Sequence, residues 1–185
     1  MTSTTKPYLD IDAIKATVEA VREQPALGKV TFNMKSRATG GVALETKTGP
    51  LVQNGNPDAS RNAKFTLVSD EPVALLGTDT GVSPAEYALK ALAGCYAVTL
   101  TSLAASRGIQ LDKIEMDLNF DIDLNGFLGI DESVRNGAQA IRVDVQLESQ
   151  GSSREQLNDL VSSLERHSPL HDTFANPVSV SARLV

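Results

Sequence analysis

The residue with the most distinctive chemistry in this 185-residue chain is Cys95, its single cysteine. One cysteine excludes an internal disulfide framework and argues against a cysteine-based zinc site within one chain. Two interpretations stay open for Cys95. Free cysteine is a common small residue of protein cores. Alternatively, Cys95 is a nucleophile, which needs activation because a free thiol with a pKa near ~8.5 is only a few per cent thiolate at neutral pH.

An arginine is the group that could activate Cys95. The dipole of its predicted helix is too remote, since Cys95 lies about eleven residues, or about 16 Å, from the predicted helix start. One cation at ~4 Å contributes up to about 4 kcal/mol at an effective dielectric constant of about 20. We choose Arg37, which ends a predicted strand beside the Gly40-Gly41 turn. Arg37 could equally be a solvated surface residue, and the other arginines considered are Arg61, Arg107, Arg135 and Arg142.

The two histidines, His167 and His171, are spaced so that they could share one face of a helix. Pro169 lies between them, and no acidic pattern of the metalloprotease type surrounds them. We therefore predict no metal site and no cofactor.

Cys95 lies on the most clearly predicted helix. Ser83-Pro84-Ala85-Glu86 is a capping box with proline at the first helical position, and Gly108 is a stop signal after Arg107. No charged residue lies between Lys90 and Arg107, which predicts a helix buried on most sides. A domain of this size rarely encloses such a helix alone, so we expect a homodimer. The small residues that would allow close approach of another backbone are Ala91, Ala93, Gly94 and Ala97.

Hydrophobic periodicity predicts the remaining elements. A loose tail over 1–9 precedes a helix that is capped by Asp10 and ended by Pro25 and Gly28. We predict strands over 30–35, 42–47 and 65–68, with a loop over 49–62. After the long helix come strands over 114–124 and 141–147, a helix with a capping box at 152–155, and a last strand over 178–184. Because helices and strands are segregated, the fold class is α+β with antiparallel sheet. We divide the chain into a tail and helix over 1–27 and a domain over 28–185.

Charge and hydropathy limit the partners. The net charge of −6 argues against nucleic acid and anionic membranes, which need clustered Lys and Arg. The first ten residues have no apolar core of a signal peptide, and no uninterrupted apolar run suffices for a membrane span. We therefore expect a cytoplasmic protein.

Three segments carry a resemblance to a known family. Residues 83–100 (SPAEYALKALAGCYAVTL) resemble the cysteine helix of the OsmC and organic hydroperoxide resistance superfamily. Residues 126–129 with 139–143, and the tail 167–178 (HSPLHDTFANPV), are similar too. The resemblance implies an OsmC-like fold with a long buried central helix, in an intertwined homodimer with the cysteine at the subunit interface. It also implies that Cys95 attacks hydroperoxides and becomes a sulfenic acid, which a second cysteine resolves.

This sequence departs from the family pattern at three positions. Ser168 occupies the place of the resolving cysteine, so no internal disulfide can form. The family arginine that follows the double glycine falls on Val42. The family glutamate aligns with Ala85, and Glu86 is displaced by one residue, a rotation of about 100° on a helix.

Two functions remain in competition. The first is a one-cysteine thiol peroxidase that reduces small apolar hydroperoxides, with Cys95, Arg37 and Glu86 as site residues and an external thiol as reductant. The second is a non-catalytic relative that binds a small apolar ligand at the subunit interface or has another role in stress.

Overall fold

The computed structural model describes residues 6–185. They form two compact units, one of residues 12–87 and the other of residues 88–185 together with the described residues up to Ile11. The helices are α1 (Ile11–Glu23), α2 (Pro84–Ser106), α3 (Leu124–Phe127), α4 (Arg154–Ser162), α5 (Leu164–His167) and α6 (Pro169–Ala175). The strands are β1 (Val30–Thr31), β2 (Met34–Gly40), β3 (Ala43–Thr48), β4 (Leu51–Gln53), β5 (Asn56–Asp58), β6 (Thr66–Ser69), β7 (Lys113–Asp121) and β8 (Ala140–Glu148).

The unit of residues 12–87 contains two small antiparallel sheets, in the orders β2-β3-β6 and β1-β4-β5. The turn predicted at Gly40 and Gly41 is confirmed: β2 and β3 meet there, and the φ angles of 145° and 54° suit residues without a Cβ. The strand predicted over 30–35 is wrong in its bounds, because residues 30–31 pair with β4 and the strand that pairs with β3 runs from Met34 to Gly40. The predicted loop over 49–62 is wrong in part, because β4 and β5 pair within it. The strands are three residues each, too short for their periodicity to show in the sequence.

A buried carboxylate organises the loop between β6 and α2. Asp70, only 1% exposed, accepts hydrogen bonds of 2.6 to 3.1 Å from the hydroxyl and backbone N–H of Thr78 and of Thr80, and from the backbone N–H of Glu71. Thr78 above all, then Thr80, holds the pKa of Asp70 well below its usual range. The same loop holds Leu76 at a φ of 65°, a strained angle for a residue with a side chain.

The capping box predicted for α2 is confirmed. The backbone N–H of Ser83 donates to Glu86 Oε2 at 2.8 Å, and the backbone N–H of Glu86 donates to Ser83 Oγ at 3.2 Å. Tyr87 adds a bond from its phenol to the carbonyl of Val68 at 2.8 Å. The capping box predicted at 152–155 lies one residue too early, because Ser153 and Gln156 form it at the start of α4.

In the unit that contains residues 88–185, the regular alternation of β7 and β8 is confirmed. The two strands pair antiparallel from Lys113 opposite Glu148 to Asp121 opposite Ala140. One helix stripe packs against them, spaced by four residues as Leu92, Tyr96, Leu100 and Ala104. The core is completed by Leu111, Leu160 and Leu164.

The prediction that α2 is buried on most sides holds for this stripe only. On another face Val98 is 66% exposed, and a Cβ added to Gly94 would meet no atom within 4 Å. By length and composition α2 could cross a membrane, with a mean hydropathy of 1.4 over its most apolar window. Since its buried stripe packs against strands whose outer faces are charged, we interpret α2 as the core helix of the domain.

The predicted last strand is wrong in the single chain. Residues 177–185 have no regular structure, and Val180 and Leu184 are almost fully exposed. A strand needs a partner edge, and the alternation of the sequence alone does not supply one. The predicted boundary between the tail and helix over 1–27 and the domain over 28–185 stays a prediction.

We predict that Asp70→Asn lowers the urea midpoint at pH 7, because an amide cannot replace a charged acceptor of five donors. The pKa of Asp70 is depressed, so its stabilisation is present above about pH 4, the ordinary value for an unfolded aspartate, and is lost as the pH falls towards the folded value. The difference between wild type and variant should therefore shrink on acidification. Asp131→Asn is the control, since Asp131 accepts only from the nearby Ser133 on an exposed turn. Equal midpoints for wild type and Asp70→Asn at pH 7 would contradict the role of the carboxylate.

Candidate functional site

Cys95 lies in the middle of α2 as a free, half-buried thiol. The hydroxyl of Ser168 donates a hydrogen bond to Cys95 Sγ at 3.2 Å. The residue that the resemblance aligns with a resolving cysteine is therefore in contact with the candidate nucleophile. A hydroxyl cannot form a disulfide, but it can stabilise negative charge on sulfur by donating a hydrogen bond.

Ser168 is held in place by its position between two short helices. It follows α5 directly and is the N-cap of α6, and its side chain is 2% exposed. Its oxygen accepts from the backbone N–H of His171 at 3.3 Å. Ser168 Oγ thus accepts one hydrogen bond from the first turn of α6 and donates its own proton to Cys95 Sγ.

Tyr96 and His171 form a second contact between α2 and α6. The Tyr96 phenol and His171 Nδ1 are 2.7 Å apart, and the two rings stack with centroids 6.1 Å apart. Burial raises the pKa of Tyr96, and the nearby Glu165 and Cys95 add to the effect. The phenol therefore stays protonated, and it donates to Nδ1 in the His171 tautomer that carries its proton on Nε2.

A concavity of about 530 Å³ lies beside this pair. Tyr96 and His171 form part of its wall, Arg135 and Glu165 contribute opposite charges, and most of the remaining lining is apolar. Among the described residues, Arg135 has no ion-pair partner for its guanidinium. The surface therefore suits a small molecule with an apolar body.

Arg37, the predicted activator, lies on β2 in the unit of residues 12–87. Its side chain is 77% exposed, and its guanidinium is 3.9 Å from Glu45 on β3, directly opposite in the sheet. Cys95 belongs to the other unit, so activation by Arg37 stays a prediction.

Glu86, the predicted carboxylate of the site, is engaged at the start of α2. The Ser83 backbone N–H that donates to it lowers the pKa of Glu86, so the carboxylate is charged at neutral pH. Glu86 precedes Cys95 by nine residues, about two and a half helical turns. Its observed role is to cap the helix, and its catalytic role stays a prediction.

Other candidate arginines have partners of their own. Arg107 donates to Asp159 at 2.7 Å and to Ser163 at 3.0 Å, and Arg142 pairs with Asp121. Arg61 lies over the ring of Phe65 at 5.5 Å. These contacts account for three of the five arginines considered, and Arg135 is the one that lines the concavity beside Tyr96.

Sequence reasoning missed the contact between Tyr96 and His171. The signal was present in part, because His171 follows Ser168 by three residues and Tyr96 follows Cys95 directly. What the sequence lacked was the packing that brings two segments 75 residues apart together. Across the described part of the chain, no group of three or more possible ligands could hold a metal ion.

Comparisons with known proteins agree on one family. The family model described as OsmC-like protein matches residues 77–183, more than half of the chain. None of the curated proteins matches the chain.

Solved structures share the fold at low sequence identity. An OsmC-like protein from Mycoplasma pneumoniae matches with a TM-score of 0.61 and 16% identity, over 78% of this chain and 87% of that one. The organic hydroperoxide resistance protein OsmC from Legionella pneumophila matches at 0.55 and 15%, over 78% and 88%. An organic hydroperoxide resistance protein from Elizabethkingia anophelis matches at 0.54 and 17%, over 77% and 86%. The mixed fold of helices and antiparallel sheet is thus that of OsmC-like structures, and by its matched residues the chain belongs to the OsmC-like protein family.

Proposed function

We propose that this protein is a one-cysteine, thiol-dependent peroxidase that reduces organic hydroperoxides, with Cys95 as the nucleophile. The observation that carries the proposal is the hydrogen bond from Ser168 to Cys95 Sγ at 3.2 Å. It places a donor on the one thiol of the chain, where thiolate must form. The hydroperoxide resistance proteins that share the fold support the reaction class.

The reaction balances with an external thiol. The Cys95 thiolate attacks the distal peroxide oxygen, the O–O bond breaks, and the alkoxide leaves as alcohol after taking up a proton. Cys95 is then a sulfenic acid. One external thiol condenses with it to a mixed disulfide and water, and a second thiol releases Cys95 and leaves as the disulfide. Ser168 cannot resolve the sulfenic acid, so the external thiol is required.

Arg37 and Glu86 keep their predicted roles in this proposal, to stabilise the thiolate and to orient the substrate. An exposed ion pair such as that of Arg37 with Glu45 stabilises little, so it does not commit the guanidinium. We also place the reaction in the cytoplasm, with small apolar hydroperoxides as substrates.

A second candidate function is the binding of a small apolar ligand without chemistry. The concavity of about 530 Å³ beside Tyr96 and His171 favours it, since most of the residues that line it are apolar. The two functions differ in whether Cys95 is consumed and regenerated.

The proposed active form is a homodimer in which a second copy covers the open face of α2. That face carries Gly94, with open space at its Cα, and the exposed Val98. The sheet of β7 and β8 has two strands, so each strand has an edge that could pair with a further strand. The exposed alternating segment 178–184 could supply another strand, which would make the dimer intertwined.

We predict that Cys95→Ser abolishes the consumption of cumene hydroperoxide in the presence of excess small thiol. Ser168→Ala should slow this consumption about tenfold, because a hydrogen bond to a charged group contributes about 1.5 to 3 kcal/mol.

Arg37→Ala should slow the consumption of hydroperoxide severalfold, with Arg22→Ala, on the exposed surface of α1, as the matched control. Equal rates for wild type and Cys95→Ser would refute the peroxidase and leave ligand binding.

We predict that Ser168→Cys converts the site into a two-cysteine site. Since Ser168 Oγ lies 3.2 Å from Sγ, a thiol at the same place can attack the sulfenic acid. One equivalent of hydroperoxide should remove both free thiols and lower the intact mass by about two hydrogens after disulfide formation. Ser162→Cys, on the exposed end of α4, should keep its added thiol free. If both variants keep a free thiol, residue 168 does not face Cys95 in solution.

We predict that light scattering at micromolar concentration gives twice the 19.7 kDa chain mass. Val98→Glu should shift the protein to the monomer, because a charge would be buried at the interface without a partner. Ser106→Glu, at the exposed end of the same helix, should leave the dimer intact. A wild-type monomer would contradict the proposed dimer, and a Val98→Glu dimer would contradict the assigned face.

A further inference from the structure

We propose that Tyr96 and His171 are positioning residues for Cys95, which hold the Ser168 hydroxyl against Sγ through their own side-chain contact. This inference rests on the proposed function of Cys95, because it concerns the stability of its thiolate. Neither residue is given a part in the reaction, and both act through Ser168.

The geometry consists of two parallel contacts between the same two helices. Successive residues of α2, Cys95 and Tyr96, each meet a residue at the start of α6. Ser168 reaches Cys95 at 3.2 Å, and His171, one turn later in α6, reaches Tyr96 at 2.7 Å. A displacement of α6 that breaks one contact therefore strains the other.

The two contacts differ in strength. A neutral thiol is a weak acceptor, so the bond from Ser168 does not by itself fix the serine or the helix that carries it. The bond between a phenol and an imidazole nitrogen at 2.7 Å is short, and Tyr96 is only 7% exposed. Because a buried phenol without a partner is costly, the contact of Tyr96 with His171 is the stronger anchor.

α6 needs such an anchor. It has seven residues, and a helix that short is not stable in isolation. A single residue, Ser168, separates it from α5. The backbone N–H of His171 also donates to Ser168 Oγ at 3.3 Å, so a movement of His171 moves the serine oxygen with it. His171 is thus bound to Tyr96 through its side chain and to Ser168 through its backbone.

The test measures the thiolate of Cys95 directly, by absorbance at 240 nm in the full chain at pH 7. Cys95 is the only thiol, so Cys95→Ser gives the baseline. Ser168→Ala should lower the thiolate signal about tenfold under conditions where the thiol predominates. Tyr96→Phe, which keeps the ring and removes the hydroxyl, should lower it severalfold. In the Ser168→Ala background, Tyr96→Phe should have no further effect.

Matched controls distinguish a loss of the Ser168 position from a general loss of folded structure. Tyr87→Phe removes a phenol of the same helix that donates to Val68 instead, and it should leave the signal unchanged. His171→Leu should reproduce Tyr96→Phe, whereas His171→Gln, which keeps an acceptor, should restore part of the signal. His167→Leu, at an exposed histidine of α5, should have no effect. Far-ultraviolet circular dichroism checks that each variant is folded.

Two results would overturn the proposal. One is an equal loss from Tyr96→Phe with and without the Ser168 hydroxyl, which would show that the two contacts act independently. The other is no loss from either Tyr96→Phe or His171→Leu. Since no peroxide is used, a protein without peroxidase activity can still show the coupling, and an active peroxidase can lack it.

Discussion

The packing of α2 is the constraint on which the rest of this structure depends. Sixteen consecutive residues between Lys90 and Arg107 carry no charge, so the helix must be covered along its length. One stripe is covered within the chain by β7, β8 and α4, and the face around Gly94 is not. Tyr96 lies within the covered stripe, whereas Cys95, one residue earlier, is only half-buried. The same helix thus provides a core anchor and a half-buried thiol side by side.

The features that were predicted correctly from the sequence are those that depend on neighbouring residues. The alternation of β7 and β8, the hairpin at Gly40 and the cap at Ser83 each depend on residues a few positions apart. What it predicted poorly depends on partners. Residues 178–184 have the alternation of a strand but no edge in the single chain, and β4 and β5 are too short for a period to appear. The same holds in the site, where the sequence singled out Cys95 and Ser168 but not the contact of Tyr96 with His171.

Arg37 and Glu86, which we propose as site residues, are each engaged by a local structural contact. Glu86 completes a capping box, which satisfies backbone donors that α2 would otherwise leave unpaired. Arg37 lies opposite Glu45 in the sheet, where opposite charges stabilise strand pairing modestly. The two engagements differ in strength, since a cap on buried backbone is hard to release and an exposed pair at 3.9 Å is easily exchanged. Of the two contacts, that of Arg37 is therefore the more easily released.

In the proposed peroxidase, the serine at position 168 gives the site a different chemistry from that of a two-cysteine site. A cysteine there would end each cycle within the chain by forming a disulfide, and a serine can only donate a hydrogen bond. That bond favours the thiolate before attack and leaves the sulfenic acid without an internal partner afterwards. The oxidised state then persists until an external thiol reaches a half-buried sulfur. In the proposed reaction, access of that thiol to Cys95, rather than the attack on peroxide, would then limit turnover.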